Sequence, residues 1–254
     1  MKLTFLGSGT SQGVPVIGCH CEVCRSVDFR DKRLRVSVLI EINDLHFVVD
    51  TGPDFRQQML REQVEKIDAV LFTHQHKDHT AGLDDIRPFN HKHQMDMPLY
   101  GRQEVLDQLK KEFAYIFENI TYPGIPRVLL HPIQNASFSI QGVAITPVEV
   151  MHHKLPVFGF RIGNLAYVTD ANFISEEEKK KLMHCKVLVI NALHKKPHIS
   201  HFTLAEAIAI AKELKAERTY FTHISHTMGL HSMVSKELPE DMELAYDGLT
   251  VEIS

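Results

Sequence analysis

The sequence predicts a layered α/β fold whose strands deliver metal-ligand side chains to one common edge. Three observations carry this expectation. Short apolar strand candidates alternate with helix candidates along the chain. Four of those strands, Ala69 to Phe72, Val143 to Val150, Leu165 to Thr169 and Thr219 to Thr222, run directly into His74, His152-His153, Asp170 and His223, and function gathers at strand ends in layered α/β folds. Finally, no repeat, low-complexity tract or linker divides the 254 residues, a length that can bury one sizeable core. A single domain spanning 1–254 is therefore expected.

Lys2 to Leu6 alternates polar and apolar residues and reads as the first strand. It runs into Gly7-Ser8-Gly9-Thr10-Ser11-Gln12-Gly13-Val14-Pro15, where no helix opens behind the glycines, so a dinucleotide fold is not supported. The loop is read as a turn able to line an active site. Val36 to Ile42 and His46 to Val49 form a hairpin about Asn43-Asp44. The second strand ends at Asp50-Thr51-Gly52-Pro53-Asp54, where Pro53 and Asp54 start a helix carrying Phe55, Met59 and Leu60 on one side. Asp50 is equally compatible with orienting a metal-bound histidine and with a simple turn role.

The most specific signal is Thr73-His74-Gln75-His76-Lys77-Asp78-His79. His74 and His76, two apart, can face one point, while Asp78 and His79 reach a second point beside it. Imidazole and carboxylate without thiolate suit zinc, manganese or iron. After this cluster, Ala81 to Asn90 reads as a short helix stopped by Pro88, with His91 and His93 solvated in a polar loop.

Arg102 to Phe117 is amphipathic, with Val105, Leu106, Leu109, Phe113, Ile116 and Phe117 at helical spacing and read as core. Pro123, Gly124 and Pro126 break the chain before a second hairpin, Ser137 to Ile140 and Val143 to Pro147, about Gln141-Gly142. The run Ser175-Glu176-Glu177-Glu178-Lys179-Lys180-Lys181 is a capped, exposed helix start, with pairs expected between Glu176 and Lys180 and between Glu177 and Lys181. His198-Ile199-Ser200-His201-Phe202-Thr203 precedes a helix bearing Leu204, Ile208, Ala211 and Leu214, with Thr203 and Glu206 as a capping box. His201 thus lies just outside a helix N-terminus, where an anionic group such as phosphate is favoured.

Cys19-His20-Cys21-Glu22-Val23-Cys24 places three thiols within six residues, enough to close on one soft metal given a fourth ligand from His226, His20 or Cys185. With only four cysteines in the chain, a disulfide framework is not expected. A net charge of -4 argues against nonspecific nucleic-acid binding. Met1 to Gly7 has no signal-peptide core, and no run approaches a membrane span, so a cytoplasmic protein without membrane contact is expected.

With these residues assembled, the chain resembles the metallo-β-lactamase-fold hydrolases along nearly its whole length. Within them it resembles the phosphodiesterase branch, most of all the phosphoribosyl cyclic-phosphate phosphodiesterase of phosphonate breakdown (PhnP type) and more distantly RNase Z. The resemblance implies an αββα sandwich, two facing mixed sheets with helices outside. It places His74, His76 and His152 on a first metal, Asp78, His79 and His223 on a second, and Asp170 between them, the ions being manganese or zinc. His152 rather than His153 takes the ligand position, by its place before Lys154 to Phe160. It makes Cys19, Cys21 and Cys24 an additional structural zinc site, stapling a loop at about 13–30, with His226 as fourth ligand. His201-Phe202-Thr203 resembles the H-x-T or H-x-S element beside the leaving group.

The activity implied is hydrolysis of a small, possibly cyclic ribose, phosphodiester by attack of a metal-bridging hydroxide. Asp170 would position that hydroxide, and His201, with His198 as second candidate, would donate to the departing oxygen. A long basic arm for gripping tRNA is not seen, which weakens the nuclease alternative. A non-catalytic metal-binding protein is the remaining alternative, and a homodimer is the candidate assembly.

Overall fold

A computed structural model describes residues 1–118 and 124–254. Its strands are β1 (Lys2–Gly7), β2 (Ser37–Ile42), β3 (Leu45–Val49), β4 (Ala69–Leu71), β5 (Met97–Gly101), β6 (Val128–Pro132), β7 (Phe138–Ile140), β8 (Val143–His152), β9 (Leu155–Ile162), β10 (Leu165–Val168), β11 (Val187–Asn191), β12 (Arg218–Thr222), β13 (Met242–Leu244) and β14 (Thr250–Glu252). They form two seven-stranded sheets ordered β14-β1-β2-β3-β4-β5-β6 and β13-β12-β11-β10-β9-β8-β7.

Each sheet is half antiparallel and half parallel. β1 to β3 and β7 to β10 run antiparallel, with hairpins joining β2 to β3 and β7 through β10, while β3 to β6 and β10 to β13 run parallel. The turn chemistry explains the antiparallel parts: Asn43 (φ 50°) and Asp44 (φ 62°), and Gln141 (φ 47°) and Gly142 (φ 86°), adopt the left-handed conformations of tight hairpin turns. Parallel strands need crossovers, supplied by helices such as Phe55–Arg61, Glu176–Leu182 and Leu204–Leu214. Parallel strands therefore bring their C-terminal ends to a shared edge in both sheets.

Burial on both faces of the sheets sorts the apolar residues into three layers. Phe47, Val49, Leu71, Phe160, Val187 and Val189 pack between the sheets. Val48, Val70, Phe55, Met59, Leu83 and Leu106 pack under the helices of the first sheet, and Leu188, Ile190, Leu182, Leu204 and Ala211 under those of the second. Each fully buried phenylalanine, such as Phe47 or Phe160, contributes about 1.5–3 kcal/mol. This is the αββα sandwich expected from the sequence. Among the described residues no helix is long and apolar enough to cross a membrane.

Four local expectations are corrected. Pro88 does not stop a helix: a 3-10 turn, Leu83–Ile86, leads into helix Arg87–His93 with the proline in its first turn, where a missing N–H costs nothing. His91 and His93 consequently lie on a helix, His93 within 2.7 Å of the Glu65 carbonyl. The helix expected from Arg102 to Phe117 breaks at Phe113, whose ψ of 41° separates Gln103–Glu112 from Ala114–Phe117. None of the residues of that second turn is buried, so Ile116 and Phe117 are not core.

Leu60 is exposed, and Gln58 is buried in its place, donating to the Arg35 carbonyl. In the acidic helix start the ion pairs are three apart, Glu176 with Lys179 and Glu178 with Lys181. Glu178 also turns inward, accepting from the Glu149 amide and from Asn135, so the helix start is not wholly exposed as expected. Gly124 and Pro126 precede β6 as expected of a chain break, while Pro123 lies outside the described residues.

Candidate active site

The shared edge carries the chemistry. Asp50 follows β3, His74 follows β4, His152 ends β8, Asp170 follows β10 and His223 follows β12. Asp50 (φ 64°), Asp170 (φ 56°) and His223 (φ 56°) all hold left-handed conformations. Such conformations are costly for residues with a Cβ and cluster at functional sites. The sharp turn they make aims each side chain across the strand end instead of along it.

The loop below the cluster is closely packed. A Cβ on Gly52 would lie 2.2 Å from the Asp78 carbonyl oxygen, so only glycine admits this approach. The Thr51 amide donates to the His79 carbonyl at 2.8 Å, and the Gly82 amide donates to the Thr51 carbonyl at 2.8 Å. These bonds hold Asp50 beneath His79. Asp50 accepts from the Thr73 amide (2.9 Å), the Thr73 hydroxyl (2.8 Å) and His79 Nδ1 (2.7 Å).

This arrangement determines tautomers. The Thr73 hydroxyl gives its proton to Asp50, so its oxygen accepts from His74 Nδ1 at 3.0 Å. His152 Nδ1 donates to the Ser200 carbonyl at 2.9 Å. In His74, His79 and His152 the outer nitrogen is occupied, leaving each Nε2 lone pair for the cluster, the arrangement typical of metal-ligating histidines.

Potential ligand atoms fall into overlapping groups, each within 4.8 Å: His74, His76 and His152; His74, His79 and Asp170; Asp78, His79 and His223; and His152, Asp170 and His201. Asp170 connects them. One carboxylate oxygen lies 3.3 Å from His79 Nε2, the other 3.3 Å from His223 Nε2 and 3.9 Å from His201 Nδ1. Asp78 lies 3.3 Å from His79 Nε2.

Burial would raise the Asp78 and Asp170 carboxyls, yet the imidazoles of His79 and His223 outweigh it and hold both well below the usual range. Burial would depress His79, but Asp170, Asp78 and Asp50 outweigh it in the opposite direction. His79 Nε2 and both His223 nitrogens are buried without a hydrogen-bond partner among the described residues. Imidazole nitrogens and carboxylates converging on shared points are what a divalent cation requires, and this donor set fits zinc, manganese or iron.

His153 is exposed and outside every ligand group; β8 ends at His152, and His153 turns away at φ 56°. His201 is 8% exposed, its ring 4.6 Å from that of His223 and 4.7 Å from that of His152. Burial, then His223, pushes its pKa down to about 2. The capping box behind it is present: Thr203 accepts from the Glu206 amide at 3.2 Å, and Glu206 accepts from the Thr203 amide at 2.8 Å. His198 is exposed, its ring 5.2 Å from His201.

The cysteines form a separate group. His226 Nδ1 lies 3.4 Å from the Sγ atoms of Cys19 and Cys21 and 3.6 Å from that of Cys24. The Cys24 amide and His226 hold the Cys21 thiol down to about 6. Of the three possible fourth ligands only His226 joins this group; Cys185 is buried under the second sheet with Leu182 and Leu188.

Two sheets in this order, with these ligands at one edge, define a class: the chain belongs to the β-lactamase superfamily, whose domain model matches residues 46–224. Its particular branch is the PhnP family. A crystal structure of a new diphosphatase from that family is 41% identical, superposes with a TM-score of 0.93, and is covered to 98% by 100% of this chain. A Porphyromonas gingivalis protein bearing the name octanoyltransferase is 40% identical over 254 residues, 98% of this chain and 51% of that protein. Ribonuclease Z of Listeria monocytogenes is 26% identical over 167 residues, 64% of this chain and 49% of its own length. The chain spans about half the length of these two curated relatives.

Proposed function

We propose that the chain is a dinuclear metal-dependent phosphodiesterase acting on a small diester. The observation that carries this reading is Asp170, whose two carboxylate oxygens reach His79 and His223 at 3.3 Å each while it also groups with His74 and His152. His74, His76 and His152 would hold one ion, Asp78, His79 and His223 the other, and Asp170 would reach both. Bound there, a metal pair neutralises phosphoryl charge and lowers the pKa of water.

The chain's own groups do the rest. Asp50 holds His79 through Nδ1 and, through Thr73, holds His74 in the ligand tautomer. His201, beside Asp170 and at the mouth of a capped helix, hydrogen-bonds the departing oxygen. With imidazolium disfavoured by burial, it acts as a neutral N–H donor.

The test is turnover of a diester panel including bis(p-nitrophenyl) phosphate and a ribose 1,2-cyclic phosphate, with loss on chelation and recovery with manganese or zinc. No turnover by metal-loaded protein across the panel would favour a non-catalytic metal-binding role. Salt-sensitive binding and cleavage of RNA would favour a nuclease like the ribonuclease Z relatives. Octanoyl transfer is not proposed, because about half of the P. gingivalis protein lies outside the match.

Cys19, Cys21, Cys24 and His226 are assigned a structural zinc. Thiolates and one imidazole closing a loop onto the turn after β12 suit a four-coordinate site. Cys21→Ser should remove one equivalent of zinc, measured by elemental analysis, and lower Tm by about 5 °C or more. Unchanged zinc content would refute the assignment.

A further inference from the structure

The return arm of the cysteine loop is fastened by two basic side chains in contact. Arg33 and His231, the latter opening the short helix His231–Val234, are each 4% exposed. Arg33 Nη2 lies 3.1 Å from His231 Nδ1. A guanidinium only donates, so this nitrogen of His231 accepts, and the ring is neutral with its proton on Nε2.

The rest of the guanidinium is spent on uncharged groups. Nη1 donates to the Ser8 hydroxyl at 2.8 Å and to the Ala245 carbonyl. The carboxylates around the pair are occupied elsewhere. Asp31, 1% exposed, accepts from the His231 amide at 2.8 Å. Asp247 accepts from the Ser8 amide and hydroxyl, from the Leu34 amide and from Arg61, and Asp28 pairs with Arg30 at 2.7 Å. The Tyr246 ring completes the surroundings, 5.8 Å from that of His231 and 5.7 Å from that of Phe29.

This knot joins segments that carry both metal-ligand groups. The Arg33 amide donates to the Val14 carbonyl at 2.7 Å and the Val14 amide to the Arg33 carbonyl at 2.8 Å, closing the neck of the loop that holds Cys19, Cys21 and Cys24. His231 follows soon after His226. The Ser8 carbonyl accepts from the amide of Ile224, next to His223, at 2.9 Å.

A second proton on the His231 ring would remove the acceptor that Arg33 uses and set two cations against each other away from water. Arg33 does not yield instead, because burial lowers its pKa only to about 10. Burial, then Arg33 and Arg30, push the His231 pKa down to about 4, and Asp28 and Asp31 offset only part of this. We propose that the Arg33–His231 pair is an acid-operated latch. On proton uptake by His231, the arm from Asp28 to Arg33 comes away from the helix His231–Val234 and from Tyr246, which loosens the cysteine loop.

An unfolded histidine titrates near about 6.5, so from there down to about 4 the latched form binds fewer protons than the released one. The latch is therefore closed above this window and weakens as pH falls through it.

The test is amide hydrogen exchange of the metal-loaded protein, corrected for intrinsic rates, at about pH 7 and about pH 5, in the parent and in His231→Asn. Asparagine offers Arg33 an amide oxygen but takes up no proton, and acid effects on the cysteines are common to both proteins. Protection of the Asp31 and Arg33 amides should fall by on the order of ten-fold in the parent and change much less in the variant. An equal fall in both proteins overturns the latch, as does no fall in either. Should the variant not fold, NMR titration of the His231 ring in the parent decides. An unprotonated Nδ1 with no titration above about pH 5 is expected, and titration near about 6.5 overturns the proposal.

Discussion

Asp170→Ala is expected to lower turnover of bis(p-nitrophenyl) phosphate by about 10³-fold or more. Asp170 is buried, sits in a left-handed conformation after β10, and places its two oxygens 3.3 Å from His79 and His223. No other carboxylate among the described residues groups with both His74 and His152. Removing it leaves Asp78 beside His79 and His223 but takes away the carboxylate that also reaches the His74 and His152 side. Metal pairs supply several kcal/mol to such reactions, and each 1.4 kcal/mol is a decade in rate.

Asp170→Asn preserves shape while removing charge, so it should lose nearly as much. Elemental analysis of either purified variant should show fewer active-site metal equivalents than the parent protein. Near-normal turnover with full metal content would sink the dinuclear assignment.

His201→Ala is expected to act selectively. A positioned hydrogen-bonding or proton-transfer group contributes about 10²–10⁴-fold, and only where the leaving group needs it. p-Nitrophenolate departs without a proton, whereas the alkoxide of a ribose cyclic phosphate does not. Because burial and His223 push the His201 pKa down to about 2, its contribution is that of a neutral donor, toward the lower end of that range. The kcat loss should therefore be about 10²-fold or more for the cyclic ribose diester and small for bis(p-nitrophenyl) phosphate. Equal losses on the two substrates would remove His201 from the leaving-group role and turn attention to His198, whose exposed ring lies 5.2 Å away.

Whatever depends on near neighbours was legible along the chain. The His74 to His79 spacing, the thiols of Cys19 to Cys24, the Asn43-Asp44 and Gln141-Gly142 turns and the Thr203 and Glu206 capping box all act within a few residues. Their geometry follows from backbone periodicity alone. The same reasoning failed where a distant partner decided the outcome. Glu178 turned inward because the Glu149 amide waits 29 positions away. Two further expectations failed locally: Phe113 ended its helix at ψ 41° despite its helical spacing, and Pro88 opened one helix instead of closing another.

By itself, then, the sequence determined which chemical groups exist, in which local spacing, and that several strands terminate in them. Only the tertiary structure supplied the geometry by which His152 and not His153 faces the cluster: β8 ends at His152, and His153, at φ 56°, is exposed in the turn beyond it. It also decided that Asp50 bonds His79 and Thr73 and that His226 joins the thiol group from 202 residues beyond Cys24. Each of these depends on how two sheets stack and how parallel crossovers align strand ends, and that alignment arises from apolar burial summed over the whole chain.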